Sequence, residues 1–257
     1  MIENICDEEQ KSDANFYAIC SPYIREKVIN TYFDRSTKSN VLSAKAILLD
    51  MEPKVIQKCL DSRNQSTMDH RWAYDPNMAY FKQGGSGNNW ALGYQYLNDE
   101  VYSEVSARTQ SMLERQDYFQ GFHVLKSLAG GTGSGLGAHL IEKLREDYPK
   151  SMILNTSIWP YSTGEVILQN YNVLLTLASS LEHADAILPL YNDDILTTCR
   201  HLLKENRPSY KTMNTVIAQS LLSFLYPCAN SPKSQSLPLH NPSSSYSYGP
   251  LNILSEI

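Results

Sequence analysis

The residues best suited to chemistry form one glycine-rich stretch. An apolar run over Phe122–Leu128 is followed by small and hydroxylated residues over Ala129–Gly135, and apolar residues then recur at helical spacing. This pattern predicts a strand, a turn and a helix. Glycine allows a backbone to approach a ligand closely, and a helix N-terminus offers N–H groups and a positive dipole end. Because Thr132 and Ser134 add hydroxyl donors, the stretch predicts a site for phosphate or pyrophosphate.

The stretch matches neither of the two common phosphate-binding motifs. No Lys-Ser or Lys-Thr pair follows it, as a Walker loop requires, and Gly131, Gly133 and Gly135 alternate instead of following G-x-G-x-x-G. A tight turn whose glycines only reverse the chain is the alternative interpretation. The density of glycine at the start of a helix exceeds what such a turn requires, and this favours phosphate binding.

Two carboxylates follow the first clear strand, which we expect over Ala44–Leu49. Asp50 and Glu52 come at its carboxyl end, and Pro53 suits the first turn of a helix. Ligands of open α/β sheets bind at that edge. On spacing alone, capping of the following helix is an equally good explanation.

Composition excludes several classes of protein. The chain has 257 residues and a net charge of −5, and it has no basic run, which disfavours nucleic acid as a partner. Its five cysteines are scattered without ligand spacing, so we expect a reduced cytosolic protein without structural zinc. No apolar run approaches the ~20 residues of a membrane span, and the acidic, polar start does not resemble a signal peptide.

Strands and helices alternate through the rest of the chain. We expect further strands over residues 152–159 and 184–190, and helices over residues 99–118, 166–181, 193–203 and 210–226. This order predicts an α/β fold, a Rossmann-like parallel sheet flanked by helices. Residues 1–40 and 60–83 show no clear period. Residues 231–250 hold seven Ser and four Pro, so we expect a Ser/Pro-rich disordered tail over residues 229–257.

The glycine-rich stretch resembles the signature loop of the tubulin family. That loop reads Gly-Gly-Gly-Thr-Gly-Ser-Gly in most members, and Ala129 here replaces the first glycine. Other family segments follow in order, including Leu-Leu-Asp-Met-Glu-Pro, Gly-Asn-Asn-Trp-Ala and Gln-Asn-Tyr-Asn. The resemblance covers about residues 41–228, and residues 50–56, 85–90 and 159–167 favour the delta branch.

The resemblance implies a tubulin-type GTPase domain over residues 41–228 that holds GTP and Mg²⁺. It implies a nucleotide site formed by Asn88, Ala129, Gly130, Gly131, Thr132, Gly133, Ser134, Gly135, Gln169, Asn192, Tyr210 and Asn214. Within this set, Asn88 would face a phosphate, Gln169 would lie near the ribose, Tyr210 would stack on the base, and Asn192 and Asn214 would contact the guanine edge. Asp50 and Glu52 would position magnesium and are not general bases, so no catalytic residue is assigned.

The resemblance also implies a cytoskeletal protein of the cytoplasm, located at centrioles and the basal bodies of cilia. Its partners would be other tubulins or centriolar microtubules, with no nucleic acid and no membrane. Two alternatives stay open: an interaction module that binds no nucleotide, and an unrelated nucleotide-dependent α/β enzyme. No Ser/His/Asp triad or metal cluster is visible in the sequence, which disfavours the enzyme.

The chain departs from the family near both ends. We find no match to the family's first strand and its loop Gly-Gln-Cys-Gly-Asn-Gln. We also find no match to the family's loop Asn-x-Asp-x-x-Glu, which completes GTP hydrolysis. The family's first strand lies between the strands at Ala44–Leu49 and Phe122–Leu128, so we expect unpaired strand edges, a marginal fold and weak GTP binding. Phe16–Ile19 is the sole apolar candidate within residues 1–40 for this gap. We also expect a preference for guanine over adenine and no GTP turnover by this chain alone.

Overall fold

The computed structural model describes residues 29–35, 41–61, 72–164, 166–225 and 251–255. The strands are β1 (Phe33–Arg35), β2 (Leu42–Ala44), β3 (Ala46–Asp50), β4 (Trp72–Tyr74), β5 (Ala79–Phe81), β6 (Gly121–Ser127), β7 (Met152–Trp159), β8 (Ala186–Tyr191) and β9 (Leu251–Ser255). The helices are α1 (Pro53–Asp61), α2 (Trp90–Tyr96), α3 (Asp99–Leu113), α4 (Gly137–Asp147), α5 (Gln169–His183), α6 (Asn192–Leu202) and α7 (Tyr210–Leu225). No helix among these residues has the length and apolar character needed to cross a bilayer.

The larger sheet has six strands in the order β5-β3-β9-β6-β7-β8, and every pairing in it is parallel. Because all six strands run the same way, the loops after their carboxyl ends gather at one edge. Helices pack on both faces of this sheet. The predicted α/β class, a Rossmann-like parallel sheet flanked by helices, is confirmed.

Alternate residues of β3 pack on opposite faces of this sheet. Ile47 and Leu49 belong to the main core together with Phe122 of β6. Helices α3 and α4 cover this face with Val101, Val105, Met112, Leu140, Ile141 and Leu144. Leu48 lies on the other face and packs on Ile56 of α1. A strand buried on both faces explains the nearly continuous apolar run that we used to predict it.

A second, three-stranded sheet has the order β1-β2-β4. We predicted one strand over Ala44–Leu49, but the chain leaves one sheet for the other at Lys45. The Lys45 backbone N–H donates to the Tyr32 carbonyl, and its side chain, 9 % exposed, lies 3.6 Å from the Asp34 carboxylate and donates to Gln116 Oε1 at 2.6 Å. Burial lowers the pKa of Lys45, against the raising effect of Asp34. These contacts fix the residue at which the strand divides.

Several short elements and boundaries differ from the predictions. Strands β4 and β5 lie within residues 60–83, which we expected to be irregular, and β1 lies within residues 1–40. Strands of three residues are too short to show a period. Helix α3 ends at Leu113 and not at Tyr118, because the four residues 114–117 are all polar and do not extend its apolar face.

The tail contributes the central strand of the larger sheet. We expected residues 229–257 to be disordered, and this is wrong for Leu251–Ser255, which form β9 between β3 and β6. Unpaired buried backbone groups cost about 1–3 kcal/mol each, so a segment able to pair with both edges is stabilised there. The segment that we named for this gap, Phe16–Ile19, lies outside the described residues, as do residues 226–250.

Candidate functional site

The glycine-rich stretch forms the predicted strand, turn and helix. After β6 the chain turns over residues 128–131, and one π-helical turn, Thr132–Leu136, leads into α4. The Ser134 hydroxyl donates to the Gly130 carbonyl and holds the turn closed. The first N–H groups of a helix have no acceptor within it, so this turn presents amide donors at the sheet edge where ligands bind.

Three glycines of this turn are required by packing. A Cβ added to Gly131, Gly133 or Gly135 would lie under 3.0 Å from neighbouring atoms. Gly131 lies against the Ser86 side chain, Gly133 against the backbone at the end of β6, and Gly135 against the Trp90 carbonyl and the start of α2. At these three positions the close approach of other protein segments accounts for glycine, and neither chain reversal nor a ligand is needed to explain it.

Gly130 differs from the other three glycines. A Cβ there would meet only Asn88 Oδ1, at 3.5 Å, which is an ordinary van der Waals contact. Its φ lies outside the left-handed region, so neither packing nor backbone conformation requires glycine at this position. Close approach of a ligand remains as a physical reason for its missing side chain.

The loop after β5 places Asn88 beside Gly130. Asn88 is exposed and has a φ of 55°, a conformation that asparagine tolerates better than most residues. The next residue, Asn89, accepts the Ala91 N–H at 2.9 Å and caps α2. Ser86 is buried beneath the glycine turn. The loop therefore fixes its own backbone and leaves the Asn88 side chain facing solvent at the open flank of the turn.

A buried amide that we did not assign from the sequence connects the loops of the site. Asn172 of α5 is 2 % exposed, and its Nδ2 donates to the carbonyls of Asn88 and Ala129, each at 2.9 Å. Its Oδ1 accepts the Trp90 N–H at 3.1 Å. In the Gln-Asn-Tyr-Asn segment over residues 169–172 we predicted a role for Gln169 and none for Asn172. The sequence does contain a signal for Asn172: its i, i+3 spacing from Gln169 places both amides on one side of the helix.

Gln169 itself orders the loop that precedes α5. It is 5 % exposed, its Nε2 donates to the Tyr161 carbonyl at 3.0 Å, and its Oε1 accepts the Val166 N–H at 3.4 Å. The same loop is connected to the start of α6, because the Ser162 N–H donates to the Asp193 carboxylate at 2.8 Å. These bonds explain why α5 begins at Gln169 and not at Val166, the start that we predicted. The role of Gln169 near a ribose stays a prediction.

The two carboxylates at the carboxyl end of β3 lie at the same edge of the sheet. Asp50 is 5 % exposed and accepts the Glu52 N–H at 3.1 Å, an i, i+2 bond that orders the turn before α1. Burial raises the pKa of Asp50, although backbone hydrogen bonds act in the opposite direction. A cation at this carboxylate would relieve that cost. Within the described residues, no three or more His, Cys, Asp or Glu side chains form a metal site of their own.

The candidate base-contacting residues lie on the last two helices. Asn192 begins α6 directly after β8, Tyr210 begins α7, and Asn214 follows one turn later. Tyr210 is 75 % exposed and Asn214 is exposed, so both side chains are accessible to a base. The two helices pack together through Ile195, Cys199 and Met213.

The structure brings part of the predicted site together. Asn172 joins Asn88 to the glycine turn, and the Gly85 N–H lies 3.5 Å from the Met51 carbonyl, which connects the same loop to the segment holding Asp50. The loop over residues 160–164 connects α5 to α6 in the same way. Among the described residues, no hydrogen bond joins the side chains of Asn192, Tyr210 or Asn214 to the glycine turn.

The sequence is similar to proteins of one known family. The GTPase domain of the tubulin/FtsZ family matches residues 1–200. The tubulin delta chains of Mus musculus and Homo sapiens are each 40 % identical over 195 residues, which are 76 % of this chain and 42 % of either relative. The tubulin beta-8 chain of Oryza sativa subsp. japonica is 33 % identical over 220 residues, 85 % of this chain and 48 % of that protein. The chain therefore spans less than half the length of these relatives, and it belongs to the tubulin/FtsZ family.

Proposed function

We propose that the chain binds GTP with Mg²⁺, as part of a tubulin-like cytoskeletal protein that resembles delta tubulin. The observation that carries this proposal is the open flank of Gly130 beside Asn88. The other turn glycines at 131, 133 and 135 already meet protein atoms, whereas this one leaves room at a helix N-terminus. Backbone amides at such a position favour phosphate oxygens.

The residues of the site fit distinct parts of the ligand. Amides of residues 129–135 and the Asn88 side chain would hold phosphate oxygens. Asp50 and Glu52 are oxygen donors of the kind that Mg²⁺ prefers, and this ion completes its shell with phosphate oxygens and water. When bound, the ion neutralises phosphate charge. Tyr210 stacking on the base and an amide of Asn214 reading its edge would give the preference for guanine.

A competition experiment tests this proposal. We expect purified chain to bind GTP saturably in the presence of Mg²⁺ and to prefer it to ATP. Asn214→Ala should reduce that preference about 5- to 100-fold, because an unpaired buried polar group costs about 1–3 kcal/mol. Asn206→Ala, at an exposed position between α6 and α7, is the matched control and should retain it. Equal binding of GTP and ATP would contradict the assignment, and a folded chain without saturable binding would favour the interaction module.

The proposal extends to a cellular role. We infer that the protein acts in the cytoplasmic cytoskeleton, at centrioles or basal bodies, with other tubulins or centriolar microtubules as partners. The support is the similarity to delta tubulins. Tagged chain should co-localise with a centriolar marker and co-purify with other tubulins. Uniform cytosolic signal without tubulin in the purified fraction would contradict this role.

A further inference from the structure

Strand β9 occupies a central gap, the space between β3 and β6. Ala46–Leu48 align with Ile253–Ser255 on one side, and Gly121–Leu125 align with Leu251–Ser255 on the other. β3 and β6 do not pair with each other, and no other strand among the described residues pairs with both. Among the described residues, β9 is therefore the only strand whose backbone pairs with both the β5-β3 half of this sheet and the β6-β7-β8 half.

Each half of the sheet carries a different part of the candidate site. The β5-β3 half leads to Asp50 and to the loop that contains Asn88. The β6-β7-β8 half leads to the glycine turn, to the loop over residues 160–164 and to Asn192. Because β9 lies between the two halves, its presence sets the spacing of their carboxyl ends.

The central gap has the character of a site for an extended peptide. All five residues of β3 are buried, and so are five of the seven residues of β6. Such neighbours favour an apolar sequence in the strand between them, and residues 251–255 include Leu251, Ile253 and Leu254. Residues 226–250, 25 in all, separate this strand from α7 in sequence. Bringing segments so far apart in sequence together costs entropy, which backbone pairing with β3 and β6 must offset.

We propose that the central gap is a strand-binding site, which residues 251–255 of the same chain fill. When residues 251–255 do not occupy the gap, a separate peptide of the same sequence can bind there in parallel orientation. The strand thereby acts as a positioning element for the two halves of the site. The positioning role rests on the proposed GTP binding, whereas the occupancy of the gap by a strand does not.

Hydrogen exchange of the full-length chain without nucleotide tests the occupancy directly. Amides of residues 251–255 should exchange at least 100-fold more slowly than in an unstructured peptide, with protection similar to that of β7. Amides of Ala46–Asp50 and Gly121–Leu125 should be protected to the same degree. Exchange of residues 251–255 at the rate of an unstructured peptide would overturn the proposal.

A proline substitution and a free peptide test exchangeability. Ile253→Pro removes a ladder N–H in the middle of a central strand, a position where proline is not tolerated. We expect at least a 10-fold loss of protection in β3 and β6, and recovery when a peptide of residues 250–257 is added, but not with a scrambled peptide. Ser244→Pro is the matched control and should behave as the unmodified chain. Equal protection in both variants, or no recovery with the matching peptide, would overturn the proposal.

The connection to the nucleotide has its own measurement. Ile253→Pro should bind GTP at least 10-fold more weakly than Ser244→Pro, and the matching peptide should restore the affinity. If the unmodified chain binds no GTP while residues 251–255 are protected, the proposed function fails and the strand-binding site stands. If GTP binds equally well in both variants while β3 and β6 lose protection, the positioning role fails.

Discussion

Adding one methyl group to Gly130 should separate ligand binding from folding. A Cβ there meets only Asn88 Oδ1 at 3.5 Å, and the backbone conformation is open to alanine. Gly130→Ala should therefore stabilise the chain without nucleotide by about 0.4–1 kcal/mol, because alanine reduces the entropy of the unfolded state. The same methyl group stands where phosphate would approach. Loss of one hydrogen bond to a charged group costs about 1.5–3 kcal/mol, so GTP affinity should fall about 10- to 100-fold.

Gly135→Ala is the matched comparison on the same turn. Its Cβ would lie 2.6 Å from the Tyr94 amide nitrogen and closer still to the Trp90 carbonyl oxygen. Crowding of this kind costs about 1–3 kcal/mol, so this variant should unfold at lower denaturant concentration. Urea unfolding without nucleotide and calorimetric titration with GTP would measure both quantities. If Gly130→Ala bound GTP as tightly as the unmodified chain, or lost as much stability as Gly135→Ala, the reasoning would be refuted.

Three further substitutions test other parts of the site and core. Asn172→Ala should lower the free energy of unfolding by about 1–3 kcal/mol or more, since it leaves buried hydrogen-bond partners unpaired. The control Asn170→Ala, at an exposed position on the same helix, should change it by less than about 0.5 kcal/mol, and urea unfolding measures both. Asp50→Asn keeps a hydrogen-bond acceptor and removes a buried charge, so thermal unfolding at pH 7 should show no loss of stability while Mg²⁺ no longer enhances GTP binding. Burial lowers the pKa of His123 from 6.5 to about 4, so stability should fall as the pH decreases from 6.5 to 4, and His123→Gln should reduce that dependence.

Each of these predictions has a contradicting outcome. Equal unfolding of Asn172→Ala and Asn170→Ala would remove the bridging role of the buried amide. Undiminished magnesium enhancement in Asp50→Asn would remove that carboxylate from the metal site. For His123, the folded state resists protonation while the unfolded state accepts it, so the slope should approach about 1.4 kcal/mol per pH unit between the two pKa values. Identical pH profiles for His123→Gln and the unmodified chain would contradict this.

Long periodic segments of the fold were predictable because burial imposes their pattern. β7 over Met152–Trp159 was predicted with its observed bounds, and α7 began at Tyr210 as expected. Lys45 was harder to interpret, because a lysine within an apolar run gives no sign that Asp34 and Gln116 enclose it. A contact between positions so distant in sequence leaves no local period.

The parts of the site that depend on neighbouring residues in the sequence could be predicted, whereas the parts that depend on contacts between distant residues could not. Glycine density and a following helical period located the phosphate turn. Which of its glycines are required by packing depends on Ser86 and on the start of α2, and these approach the turn only in the folded chain. Residues 251–255 were predicted as part of a Ser/Pro-rich disordered tail, because the two strand edges with which they pair are far away in sequence. Asn172 was missed for the same reason.

Hydrogen exchange at the glycine turn tests most directly whether backbone amides bind the nucleotide phosphates. It is measured with and without saturating Mg²⁺ and GTP. The amides of residues 130–134 should exchange at least ~10-fold more slowly with GTP, and addition of ATP at the same concentration should have a smaller effect. The carboxyl-terminal half of α4 should remain unchanged, because it lies away from the turn. A chain that is saturated with GTP while residues 130–134 exchange at the rate measured without it would contradict the assignment of this turn as the phosphate site.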